Sequence, residues 1–152
     1  KNMNESYNIS GDYETQSSAI YTFLQEETSN PFEKKIIAKY KIPNEYQVSC
    51  GIKPGDLAYE GTLISSIVVG NFYHKFPLEY QEKCPNAKDF IKTTLYLLID
   101  ITGKCMQGDL LLIHISDNCV IDDRKFQSLI FWKIDVKDKP KFFISNNLIS
   151  WG

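Results

Sequence analysis

The sequence predicts a single α+β domain dominated by antiparallel β-sheet, with one helix near the N-terminus. Three observations lead there. The chain has 152 residues, 43% apolar and 13% aromatic, which suits one well-packed domain. Six or seven segments alternate apolar and polar residues between clusters of Gly, Pro, Asn and Asp, the pattern of half-buried strands. One stretch, 17–27, instead sets Ile20, Phe23, Leu24 and Glu27 at helical spacing.

Residues 1–16 are polar, with Tyr7, Ile9 and Tyr13 as the only anchors. They read as a flexible leader with room for a short strand at 7–14, and 17–152 as the globular domain. Ser17 or Ser18 supplies an N-cap for the helix over 17–27. The helix must end before Asn30-Pro31, because the residue preceding Pro is pushed out of the α region. Ile36, Ala38, Tyr40 and Ile42 then alternate with lysines as a strand. Pro43-Asn44-Glu45 turns the chain, and the alternation of Tyr46, Val48 and Cys50 predicts a strand pairing back as a hairpin. Lys53-Pro54-Gly55-Asp56 is a turn, and a strand follows across Thr62–Val69.

Phe72, Tyr73 and Phe76 form an aromatic cluster after Gly70-Asn71. Pro77–Asp89 is mostly polar, with a helical turn started by Asn86. Strands at Leu95–Ile101 and Leu110–Ser116 make an antiparallel pair across the Gly103/Gly108 connection. Ser128–Val136 is a further strand with Ile130, Trp132, Ile134 and Val136 on one face. Lys137-Asp138-Lys139-Pro140 leads to a last strand near Lys141–Ser145, and Leu148, Ile149 and Trp151 pack the C-terminus down.

Composition excludes several classes. The formal charge is −2, and Arg124 is the sole arginine beside sixteen lysines. That argues against nucleic acid, which draws on broad basic surfaces and on the planar fork of Arg. No run reaches the ~20 apolar residues of a membrane helix. The chain opens Lys1-Asn2-Met3 with no apolar leader segment, as a chain would after removal of a targeting segment. A lipid attached upstream of residue 1 would turn the leader into a tether. Two sequons, Asn4-Glu5-Ser6 and Asn8-Ile9-Ser10, are of the kind an Asn-rich chain produces by chance.

Cys50, Cys84, Cys105 and Cys119 include no Cys-x-x-Cys pair, so zinc-ribbon and thioredoxin signatures are absent. The even count predicts two disulfides and an oxidising compartment, periplasmic or extracellular. Geometry favours Cys50–Cys105 and Cys84–Cys119. The strand 110–116 lies between Cys105 and Cys119, and at ~3.3 Å per residue it holds them about 20 Å apart. Bridged Cα atoms lie only about 4.4–6.8 Å apart.

Catalytic equipment is sparse. The two histidines, His74 and His114, belong to no His-x-x-x-His or zincin motif. No Gly-x-Ser-x-Gly elbow marks a nucleophile. Cys119 follows His114 closely, but sequence proximity is not the hydrogen-bond geometry a thiolate needs. Asp117, Asp122 and Asp123 form an acidic loop that lacks the central Gly and final Glu of a calcium loop. No cofactor and no metal is expected.

The sequence therefore predicts a small exported monomeric module that binds another protein without turnover, such as an inhibitor or an immunity protein blocking a toxin. Phe72, Tyr73 and Phe76 would anchor the contact, and Asp117, Asp122 and Asp123 would steer a basic partner. The alternatives are a small hydrolase using His74 or His114, and a β-rich carrier whose apolar pocket is lined by Phe72, Tyr73, Phe76 and Trp132.

Overall fold

A computed structural model describes residues 7–135. It corrects the predicted fold class: the chain is a closed, all-antiparallel barrel of eight strands in sequence order, not a helix-bearing α+β sheet. The strands are β1 (Gly11–Thr15), β2 (Ile20–Glu27), β3 (Glu33–Ile42), β4 (Leu57–Ile64), β5 (Ile67–His74), β6 (Ile91–Ile99), β7 (Cys105–Ile115) and β8 (Ile121–Lys133). Each pairs with the next, and β1 also pairs with β8 through Tyr13↔Lys133, Glu14↔Trp132 and Thr15↔Phe131. Closure leaves no sheet edge to pair with another chain. Among the described residues, helix is confined to α1 (Glu45–Ser49), α2 (Leu78–Lys83) and a 3-10 turn at Pro85–Ala87.

The helix expected over 17–27 is strand β2. The same residues carry both periods, since Tyr21 and Phe23 are buried while Leu24 stands 47% exposed. Partners on both sides, β1 and β3, decide for the extended form. Ser18 adopts a positive φ in the β1–β2 turn and does not cap a helix. The short strand for which the leader had room at 7–14 is β1, at Gly11–Thr15, and it closes the barrel.

The strand expected at 46–50 is helix α1. Asn44 accepts from the Gln47 N–H at 2.8 Å while the Gln47 side chain accepts from the Asn44 N–H at 3.0 Å, a reciprocal cap. The single strand expected at 62–69 is two, folded at Ser65 with φ 58 so that Ile64 pairs with Ile67. The last strand expected at 141–145 and the packing of Leu148, Ile149 and Trp151 lie outside the described residues.

The interior is filled by rings. Phe131 meets Tyr21 at 5.4 Å and Phe23 at 5.3 Å between centroids, both edge-on, and Tyr13 meets Phe23 at 5.1 Å. The buried tyrosine hydroxyls all have partners. Tyr13 donates to the Ile9 carbonyl, Tyr40 to the Tyr73 carbonyl and Tyr59 to the Leu95 carbonyl, while Tyr21 accepts from Gln47. Burial raises the pKa of Tyr13, Tyr21 and Tyr59 far above the ordinary phenol value. The Tyr59 ring lies over Gly61 and Gly70, which face each other across β4–β5. A Cβ on Gly70 would sit 2.2 Å from the Glu60 carbonyl oxygen, so only glycine fits.

The up-and-down order sorts the connections. Those at 28–32, 65–66 and 100–104 lie at one end, and those at 16–19, 43–56, 75–90 and 116–120 lie at the other. Both helices belong to this second end.

Candidate functional site

The end with the long connections is held shut by one covalent tie. Cys84, just past α2, is bonded to Cys119 in the β7–β8 turn, with Cα atoms 5.4 Å apart. This bears out half of the expected cysteine framework. The other half is corrected: Cys50 and Cys105 are separate buried thiols. Cys50 caps α1 at the helical end, whereas Cys105 opens β7 at the opposite end and packs with Ile130 and Trp132. The length of the barrel separates them, which the sequence order of the elements did not reveal. Burial raises the pKa of both thiols, that of Cys105 to about 12, so neither is a ready thiolate. Cys119 is consumed by its disulfide, which removes the thiol-nucleophile reading.

Around the tie, α2 is fixed on every side. The Gln81 side-chain amide donates to the Cys50 carbonyl at 2.7 Å and the Phe76 carbonyl at 2.6 Å. The Asn86 side-chain amide donates to the Cys119 carbonyl at 2.9 Å. Beneath lies a small core of Phe76, Cys84, Ala87 and Ile115. On the outside, the Tyr80 hydroxyl donates to the Asp117 carboxylate at 3.2 Å, and the Lys83 ammonium lies 3.4 Å from it. The nearby Asp117 charge raises the Tyr80 pKa. Leu78, at the start of α2, is 47% exposed, and Val120, next to Cys119, is 59% exposed.

The expected contact residues divide sharply. Phe72 faces the barrel interior and is fully buried, and Phe76 is 2% exposed. Neither can meet a partner, because strand alternation turns Phe72 inward and the disulfide packs α2 over Phe76. Tyr73 points outward and donates to Glu60 at 2.5 Å, a bond that pushes its pKa up to about 12. Asp117 is exposed in the network just described. Asp122 sits on β8 opposite His114, 3.4 Å away in an exposed cross-strand pair. The side chain of Asp123 lies outside the described residues. Phe72, Tyr73, Phe76 and Trp132, expected to line a carrier pocket, face four different surroundings: the interior, the outer wall, the capped end and the Cys105 cluster.

The histidines are equally separate. His74 is 2% exposed and stacks on Phe72 at 5.9 Å, and burial lowers its pKa to about 3. Its imidazole is neutral and shut away from any substrate. Among the described residues, no three His, Cys, Asp or Glu side chains converge on a possible metal position. No described helix is long and apolar enough to cross a membrane.

Leu78, Tyr80, Lys83 and Val120 went unnoticed in the sequence. A six-residue amphipathic helix is too short for periodicity to mark, and only its abutment on Cys84 signals that it is fixed. Compared with known proteins, the chain matches no family model, no curated protein and no solved structure, so fold and site stand on geometry alone.

Proposed function

We propose that this protein is a small non-catalytic module that binds another protein through the disulfide-clamped end of its barrel. One observation carries the reading: Cys84–Cys119 joins α2 to the β7–β8 turn and orders the contact of Tyr80 and Lys83 with Asp117, at the end of the barrel where Leu78 and Val120 are also exposed. Ordering a contact surface before binding lowers the entropy lost on association. Apolar side chains beside one charged pair also suit the mixed character of a non-obligate interface. A rigid barrel bearing long connections at one end is a common way to present such a surface. Action as an inhibitor or immunity protein fits this design, because occluding a partner needs a shaped surface and no reacting group.

Export is part of the same proposal. A disulfide closing one end of the fold persists in an oxidising compartment and is rare in a reducing one.

The test is photo-crosslinking in extracts of the source organism, with a benzophenone amino acid at Leu78 or Val120 and a control at Phe32 on the opposite end. The proposal expects one protein captured from the first two positions, with capture lost in Asp117→Lys. Equal capture from Phe32, or capture indifferent to Asp117→Lys, overturns it.

A further inference from the structure

The outer wall of the barrel carries an apolar strip across β6, β7 and β8. β6 and β7 pair only through Leu98↔Gln107 and Ile99↔Met106, next to their connecting turn. Beyond that ladder a groove of about 730 Å³ opens on the outer face, with Leu111 and Ile113 of β7 half-buried in it. Tyr96 and Leu98 stand on its β6 side, 52% and 62% exposed, and Phe126 stands on its β8 side, 67% exposed. Large apolar side chains scattered singly on a surface need no explanation, but gathered in one strip they mark a contact. Two charges punctuate the strip. Lys92 and Asp109 both line the groove and both are exposed, and neither has an ion-pair partner among the described residues. The Leu98↔Gln107 register, carried along the two strands, sets Asp109 level with Tyr96 and Leu111 level with Thr94. Leu111 pairs in turn with Phe126 on β8. Lys92 and Asp109 are thus about 13 Å apart along the groove at ~3.3 Å per residue, and Leu111 and Phe126 share the level midway between them.

We propose that this strip joins two copies of the chain in a symmetric dimer, in place of the monomer expected from the sequence. A two-fold axis lying across the strands at the level of Leu111 and Phe126 turns the strip onto itself. It sets Phe126 against the partner's Phe126 and Leu111 against the partner's Leu111. The same axis reverses the strand direction, so Lys92 of one protomer comes to the level of the partner's Asp109, and the pair forms twice. This is what selects a second copy as the occupant. An isologous contact needs apolar groups on the axis and opposite charges equally spaced on either side of it, and the strip has both. The charges also fix the register, because sliding the copies along the strands separates both pairs at once. The barrel curves away on each side, so the contact is narrower than the roughly 800 Å² per partner of a standard interface, and the dimer belongs in the micromolar range. Leu78 and Val120 lie outside the strip, so the dimer stands apart from the surface proposed above.

The experiment is sedimentation velocity of the full chain from about 1 μM to about 1 mM, where a monomer–dimer equilibrium is expected. Phe126→Asp, at a position exposed enough to spare the core, puts two carboxylates together on the axis. It should raise the dissociation constant roughly a hundredfold. Tyr96→Asp gives a second reading should the Phe126 variant fold poorly. Lys92→Glu and Asp109→Lys should each weaken the dimer about fivefold, and the two together should restore it to within about twofold. Phe32→Asp, in the β2–β3 connection and away from the strip, should change nothing. A chain monomeric throughout, a dimer indifferent to Phe126→Asp and Tyr96→Asp, a double charge reversal without recovery, or a dimer lost in Phe32→Asp overturns the proposal.

Discussion

The Gln47 side-chain amide donates to the Tyr21 hydroxyl at 2.9 Å, tying helix α1 to the aromatic interior of the barrel. Gln47 is 1% exposed and also completes the reciprocal cap with Asn44. One residue thus satisfies a helix terminus and a buried phenol. Gln47→Leu should remove the bond to the Tyr21 hydroxyl and one arm of the reciprocal cap, and cost about 2–3 kcal/mol. Urea unfolding with an unchanged m-value and a lower midpoint is the expected result.

Gly70→Ala places a methyl 2.2 Å from the Glu60 carbonyl oxygen and 2.8 Å from the Tyr59 hydroxyl. Backbone cannot yield as a side-chain tip does, so strands β4 and β5 must separate locally. A loss of about 3 kcal/mol or more is expected. Gly55→Ala meets nothing within 4 Å but has φ +92, and should cost only its backbone strain. Thermal melts of the two variants give the ranking.

His74 makes the barrel acid-sensitive. Its folded pKa is lowered to about 3 by burial, against an ordinary 6.5. The unfolded chain therefore takes up a proton that the folded chain refuses. Stability is complete above pH ~6.5 and falls as the pH drops toward 3. At pH 4.5 the loss from this group is about 2–3 kcal/mol at 1.36 kcal/mol per unit. His74→Phe should flatten the pH dependence of the denaturation midpoint between pH 7 and 4.5 relative to the parent.

The Cys84–Cys119 bridge spans 35 residues. Loop-closure entropy assigns it about 3–4 kcal/mol. Double replacement of Cys84 and Cys119 by Ala should lower the melting temperature, with the change in hydrogen exchange largest over 75–90. Non-reducing peptide mapping should find this pair alone, with Cys50 and Cys105 alkylated only after unfolding.

Asp117→Ala should leave stability nearly unchanged. Its contact with Lys83 is 3.4 Å long between side chains 48% and 85% exposed, and such surface pairs contribute about 0–1 kcal/mol. A melting temperature within a degree or two of the parent, together with weaker partner capture, separates a contact role from a structural one.

Much of the wall was legible in the residues. Leu95, Leu97 and Ile99 point inward by simple alternation, as their burial shows, because one face of a strand meets a core and the other meets water. Ile101, expected on the same face, lies past the end of β6 and is 90% exposed. Strand geometry forbade Cys105–Cys119 and favoured Cys84–Cys119, which is present, along with Cys50–Cys105, which is not. Elsewhere two local patterns competed. Ile20–Glu27 fits a helix and a strand equally well, and only pairing with β1 and β3 chose between them. At 46–50 the alternation was real, but the Asn44–Gln47 cap and the Tyr21 hydroxyl, 26 residues away, favoured a helix.

The sequence by itself determined that alternating strands would dominate the fold and that Cys105 could not be bonded to Cys119. Both follow from short-range periodicity and from the fixed rise of a strand. Tertiary structure decided the closure of β1 onto β8, the burial of Phe72 and Phe76, and the gathering of Leu78, Tyr80, Asp117 and Val120 at one end. Those outcomes depend on contacts between residues far apart in the chain. Closure sets them all together, since a barrel's curvature fixes which faces turn inward and which connections share an end.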